Sequence, residues 1–147
     1  MMDNVCAAEK TVLIKNVPDD VVLLAKAKEA MNNAYAPYSK FHVGCALLAA
    51  SGKIYCGCNV ENASYGATLC AERVAITKAV SEGERQFISI AVVSSGGDFT
   101  YPCGVCRQVL SEFGLALRVI LEKGDVVRVY TLADLLPHAF TSEQLTY

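Results

Sequence analysis

Residues 87–94 read Phe87-Ile-Ser-Ile-Ala-Val-Val-Ser94, an almost unbroken apolar run rich in β-branched side chains. Side chains alternate across a strand, so a run this apolar has both of its faces covered, as happens inside a sheet with helices on each side. Working outward from it, Val43–Ala50 and Lys53–Asn59 flank Ser51-Gly52 and predict an antiparallel hairpin. Between hairpin and apolar run, AERVAITKAVSEG after Cys70 has helical spacing, with Gly83 placed to close it. Downstream, a helix from Cys103 to Phe113 closes at Gly114. Strands over Arg118–Glu122 and Val126–Thr131 then flank Lys123-Gly124-Asp125, and Thr131 with Asp134 signals one more helix start. Near the beginning, Asp19 or Asp20 can cap a helix to about Asn33, with Val21, Val22, Leu24, Ala25 and Met31 as its apolar stripe. The pattern predicts an α/β layered domain, a mixed sheet of about five strands flanked by helices.

A chain of 147 residues is expected to form one domain over 1–147, with 1–16 as a loose N-terminal segment. At 53% hydrophobic residues disorder is excluded, and the longest apolar stretch, Val43–Ala50, is under half the roughly 20 residues of a membrane span. The start MMDNVCAAEK carries Asp3 and Glu9 where a secretory signal needs basic and then apolar residues, so a reducing, cytoplasmic setting is expected. Seven cysteines in such a setting point to metal ligation or catalysis rather than cross-links. A net charge of −2 with no Lys/Arg cluster argues against gripping a nucleic acid polymer. The mean hydropathy of +0.32 favours a homo-oligomer that buries surplus apolar surface.

Chemistry concentrates in Cys70-Ala-Glu72 and Pro102-Cys103-Gly-Val-Cys106. Both groups fall at helix starts, where unpaired N–H groups favour thiolate, the form that binds metal. Cys103 and Cys106 are three apart and share a helix face, so they can grip one ion as a pair. Cys70, 33 positions upstream, adds a third sulfur. Three protein ligands leave the fourth position of Zn²⁺ to water, the arrangement of a catalytic rather than a structural zinc. Glu72 is then placed as proton shuttle, since a carboxylate beside activated water can take its proton and pass it to a substrate nitrogen.

With these motifs in their order, and with Tyr38-Ser-Lys-Phe41-His-Val-Gly44, Gly57-Cys-Asn59-Val-Glu61-Asn62-Ala63-Ser-Tyr65, Ala71-Glu72-Arg73 and Arg107-Gln108, the sequence resembles cytidine deaminases of the small homotetrameric type. The resemblance covers nearly the whole chain. It implies zinc-dependent hydrolysis of free cytidine and deoxycytidine to uridine and deoxyuridine plus ammonia, in pyrimidine salvage. One Zn²⁺ per subunit would sit on Cys70, Cys103 and Cys106, with Glu72 moving protons. Asn59 and Glu61 would hold the ribose, Phe41 the face of the base, and the Ala71 N–H the pyrimidine carbonyl. Tyr65 would help complete a neighbouring subunit's site in a tetramer with shared active sites, and Phe140 is a candidate to close the pocket.

Independently of the resemblance, Asn59 and Glu61 lie two residues apart at a strand end and can point toward one small polar object. Three thiolates weaken a zinc ion as a Lewis acid, and Arg73 is placed to donate to them and restore it. Cys6, Cys45, Cys56 and Cys58 read as small packing residues, and neither His42 nor His138 falls at a ligand spacing. Two rival functions are a deaminase acting within nucleic acid, which needs a basic channel, and a non-catalytic zinc or redox module, which has no use for Glu72.

Overall fold

The run at 87–94 forms the middle strand of a five-stranded sheet in the computed structural model, which describes residues 18–145. The elements are α1 (Pro18–Met31), β1 (Val43–Ala49), β2 (Ile54–Cys58), α2 (Ala71–Ser81), β3 (Phe87–Ser94), α3 (Gly104–Ser111), β4 (Arg118–Lys123), β5 (Val126–Thr131) and α4 (Leu132–Leu135), with short 3₁₀ turns at Tyr65–Ala67 and Ser142–Gln144. Strand order is β2-β1-β3-β4-β5, and only the β3–β4 pair is parallel. Parallel neighbours need a crossover connection, and α3 supplies it. The expected N-terminal segment 1–16 and Cys6 lie outside the described residues.

Strand β3 is covered on both faces. Ile90 and Val92 pack with Cys45, Leu47, Ala75, Ile76 and Leu110, under α2 and α3. Ala91 and Val93 turn the other way, against Leu23, Leu24 and Ala27 of α1 and Ile120 of β4. Each such Leu, Ile or Val contributes roughly 1.5–3 kcal/mol of burial, enough that a one-residue register slip, which would reverse every side chain, is strongly disfavoured.

Helix α1 departs from the expected stripe. Asp19 and Asp20 lie within its first turn behind Pro18 rather than capping it, and Asp20 receives two hydrogen bonds from the Arg118 guanidinium of β4, at 3.0 and 2.8 Å. That ion pair puts Asp20 on the inner ray, and the residues one and two helical turns onward, Leu23, Leu24 and Ala27, follow it inward. Val21, Val22 and Ala25 are therefore exposed. The helix stops at Met31, two residues earlier than expected.

The other boundaries follow the sequence closely. Gly83 and Gly114 take positive φ just beyond α2 and α3, the left-handed geometry that ends a helix most easily with glycine. Thr131 and Asp134 form a reciprocal capping box at α4, which begins at Leu132. Among the described residues Cys45, Cys56 and Cys58 are free thiols; Cys45 and Cys56 pack into opposite faces of the core, as packing residues would.

Two glycines of the hairpin set the helices against the sheet. A Cβ on Gly44 would meet the Ala27 carbonyl oxygen of α1 at 2.0 Å, and one on Gly57 would meet the Ala71 carbonyl oxygen of α2 at 2.3 Å. Backbone on both sides leaves nothing flexible to give way. Gly57→Ala is therefore expected to cost at least about 2–3 kcal/mol in urea unfolding and to lower metal occupancy by lifting the start of α2. Gly104→Ala, where a Cβ meets nothing within 4 Å, should be near neutral in stability.

Candidate active site

Cys70 and Cys103 are the N-cap residues of α2 and α3. Neither sulfur makes a capping bond to the backbone of its own helix, and the two side chains turn toward each other. Their Sγ atoms are 3.9 Å apart, and with the buried Sγ of Cys106 all three lie within 4.8 Å of one another. Sulfurs around a tetrahedral Zn²⁺ at 2.3 Å stand roughly 3.8 Å apart. The residues present thus fit a zinc ion, and no fourth cysteine, histidine or carboxylate joins the group among the described residues.

The thiols divide a proton unequally. A hydrogen bond from the Cys106 thiol, aided by the Arg73 guanidinium and Cys103, lowers the Cys70 thiol to about 5. The same bond, with burial, pushes Cys106 far up. Arg73 Nη2 stands 3.7 Å from Cys70 Sγ and donates to the Thr68 carbonyl oxygen at 2.8 Å, the placement expected of a donor to the sulfurs. Glu72 is 4% exposed. Burial, reinforced by the negative charge on Cys70, raises its carboxyl to about 7. Arg107 braces the second helix start, donating to the carbonyl oxygens of Pro102 and Leu135, each at 2.7 Å.

A cavity of about 290 Å³ opens onto this cluster, lined among others by Phe41, Asn59, Glu61, Ala71, Glu72 and Cys103. Asn59 and Glu61 do point into one space, and both also carry backbone. Asn59 Oδ1 accepts from the Val43 N–H and its amide donates to the Phe41 carbonyl, each at 2.8 Å. Glu61 accepts from the Tyr38 and Ser39 N–H groups and from the Ser39 hydroxyl. That hydroxyl is the main reason the Glu61 carboxyl lies below its ordinary range.

Tyr65 lies outside the cavity wall. It is 76% exposed and meets Tyr38 edge-on at 6.0 Å, beside a neighbouring hollow that Ser39 and Glu61 share. Phe140 does not line the cavity either; its carbonyl accepts from Gln108 of α3 at 2.8 Å while its ring is 58% exposed. Sequence reasoning missed Thr68, Thr100 and Tyr101, which line the wall. For Thr100 and Tyr101 the signal was their place just before Pro102. Gly96 was missed too, and a Cβ there would meet the Phe41 ring at 2.8 Å.

A family model of the cytidine and deoxycytidylate deaminase zinc-binding region matches residues 18–122. The chain belongs to this deaminase family. The cytidine deaminase of Sporosarcina psychrophila is 50% identical over 128 residues, spanning 85% of this chain and 93% of that protein. That of Mycobacterium tuberculosis is 44% identical over 124 residues, spanning 84% of this chain and 91% of the relative. The crystal structure of cytidine deaminase from Burkholderia pseudomallei superposes with a TM-score of 0.78 at 50% identity, covering 82% of this chain and 98% of that one. The fold is that of the cytidine deaminases, and the family is one of zinc-binding enzymes.

Because zinc binding displaces thiol protons, a chelator that strips the ion should make Cys70 and Cys103 reactive toward a disulfide reagent. Added Zn²⁺ should restore protection. Thiol titration before and after chelation checks this, and protection that survives complete metal removal would contradict the ligand set.

Proposed function

We propose that this chain hydrolyses free cytidine and deoxycytidine to uridine and deoxyuridine, releasing ammonia, as a step of pyrimidine salvage. The observation that carries the reading is one buried carboxylate, Glu72, facing a cavity beside three convergent sulfurs. A structural or redox zinc module gives such a group nothing to do. The names of the relatives point the same way.

Cys70, Cys103 and Cys106 would hold the ion, one per subunit, and when bound it would supply the Lewis acidity that makes water nucleophilic near neutral pH. Glu72 takes the proton that water gives up as its oxygen adds to C4 of the pyrimidine, and delivers it to the ring nitrogen beside C4. Glu72 then carries the proton of the new C4 hydroxyl to the amino nitrogen, so that C4 becomes the carbonyl of uridine as ammonia leaves. The C4–N bond then breaks, and water has been exchanged for ammonia with no redox change. Phe41 lies against the face of the base, the Ala71 N–H at the first turn of α2 donates to the pyrimidine carbonyl, and Asn59 and Glu61 receive the sugar hydroxyls. Arg73 draws charge from Cys70 and keeps the ion electrophilic.

The cavity favours nucleosides over phosphorylated or polymeric substrates. Its ionisable lining includes Glu61 and Glu72, and no Lys or Arg lines it among the described residues, whereas a phosphate calls for cations. The whole chain is read as one domain and a cytoplasmic homotetramer with shared sites. Tyr35, Tyr38, Val60, Tyr65 and Leu69 leave an exposed apolar rim near the pocket, with Tyr65 reaching a neighbour's site and Phe140 available as a lid. No helix among the described residues is long and apolar enough to cross a membrane.

Replacing Glu72 by Gln should lower kcat for cytidine by roughly 10²–10⁴-fold while zinc content and melting temperature stay near wild type. The fall in ultraviolet absorbance as cytidine is consumed, with metal analysis of the same sample, reads both. Retained turnover would sink the mechanism. Arg73→Gln should keep zinc but turn over more slowly.

A further inference from the structure

The two ends of the cavity meet at one hydroxyl group. Ser39 donates its hydroxyl hydrogen to Glu61 Oε1 and accepts, on the same oxygen, the Phe41 N–H at 3.0 Å. Glu61 Oε2 holds the loop further, accepting from the Tyr38 N–H at 2.8 Å and the Ser39 N–H at 3.2 Å. On its far side Phe41 is held through its carbonyl by Asn59, at 2.8 Å. Between Ser39 and Phe41, Lys40 sits at φ 60°, a left-handed conformation that a side chain with a Cβ keeps only when its surroundings impose it. Behind the Phe41 ring, Gly96 leaves no room for even a methyl group. Phe41 is thus fixed in front by Ser39 and Asn59 and behind by backbone.

We propose that Ser39 is a positioning residue that couples sugar recognition at Glu61 to base recognition at Phe41. The inference rests on reading the cavity as a nucleoside site and adds a property that reading does not require. If the two ends were independent, loss of the Ser39 hydroxyl would disturb only the carboxylate it bonds. With Ser39 as the shared joint, the Phe41 N–H loses its acceptor at the same moment, the left-handed turn relaxes, and the grip on the base loosens even for a ligand that lacks the 2′ and 3′ hydroxyls.

The test uses the zinc-loaded enzyme and two ligands, cytidine as substrate and 2′,3′-dideoxycytidine as a competitor whose apparent Ki is read from slowed cytidine turnover. Ser39→Ala should raise the cytidine KM roughly tenfold with kcat within about twofold of wild type, and raise the dideoxycytidine Ki several-fold as well. Ser39→Thr, which keeps the hydroxyl, should restore both values, and zinc content should be equal in all samples. If S39A weakens cytidine alone and leaves the dideoxycytidine Ki unchanged, the coupling is wrong. Unchanged values for both ligands, or no recovery in S39T, also overturn it. Should S39A fail to fold, Ser39→Gly removes the same hydroxyl and is read by the same criteria. Two controls isolate the underlying reading: Glu61→Ala should weaken cytidine more than dideoxycytidine, because it removes the sugar contact as well as the anchor of Ser39, and Phe41→Ala should weaken both. If E61A spares cytidine, the sugar-end assignment itself fails, whatever Ser39 does.

Discussion

The structure depends on two helix starts being laid side by side so that three sulfurs share one small volume. With an ion bound, the three sulfurs would all be thiolates, and three such charges within 4.8 Å of one another would repel strongly in a partly buried site. A divalent ion would offset two of those charges. The N-terminal ends of α2 and α3, each worth about half a positive charge, offset roughly the third. Glu72 and Arg73 then face the same cluster with opposite signs. With the ion bound, the charge around Glu72, at 4% exposure, would be close to neutral, whereas burial and the charge on Cys70 alone raise its carboxyl.

That convergence has its own preconditions in the sheet. Strand β3 leads into the loop that ends at Cys103, and the β1–β2 hairpin presses on α2 through Gly57. Apolar burial on both faces of β3 fixes its register, and the parallel β3–β4 pair makes α3 cross over on the same side of the sheet as α2. The chemistry is therefore specified by packing some distance away from it. Arg107 contributes from within the motif region, since its two bonds to carbonyl oxygens tie the start of α3 to the region of α4.

Much of this was legible in the order of residues. The apolar run at 87–94, the hairpin at Ser51-Gly52 and the glycines that end α2 and α3 are local signals, and local signals survive tertiary context well. The convergence of three sulfurs was legible because a Cys-x-x-Cys pair at a helix start leaves few alternatives. The inner face of α1 was not legible. Its rotation is decided by Arg118, 98 residues from Asp20, and periodicity in α1 alone weighs Val21 no differently from Leu23. The double duty of Asn59 and Glu61 was hidden for the same kind of reason. That the two share one space follows from their spacing, but the backbone groups they hold come from a loop whose path no pattern in the sequence describes. Thr68 and Gly96 were invisible because their contribution is a position in the wall and an absence of atoms.

Gly44 and Gly57 stand on adjacent paired strands, Gly44 opposite Cys58 and Cys45 opposite Gly57, yet they touch helices on opposite sides of the sheet. The hairpin accordingly acts as a spacer of fixed thickness, gripped between α1 and α2 with backbone pressed on backbone. At this point α1 meets the hairpin through the Ala27 carbonyl oxygen, and α2 meets it through the Ala71 carbonyl oxygen, between Cys70 and Glu72 in the chain. The spacing between the first helix and the helix start that carries Cys70 is thereby set by two bare backbones rather than by side chains of adjustable size.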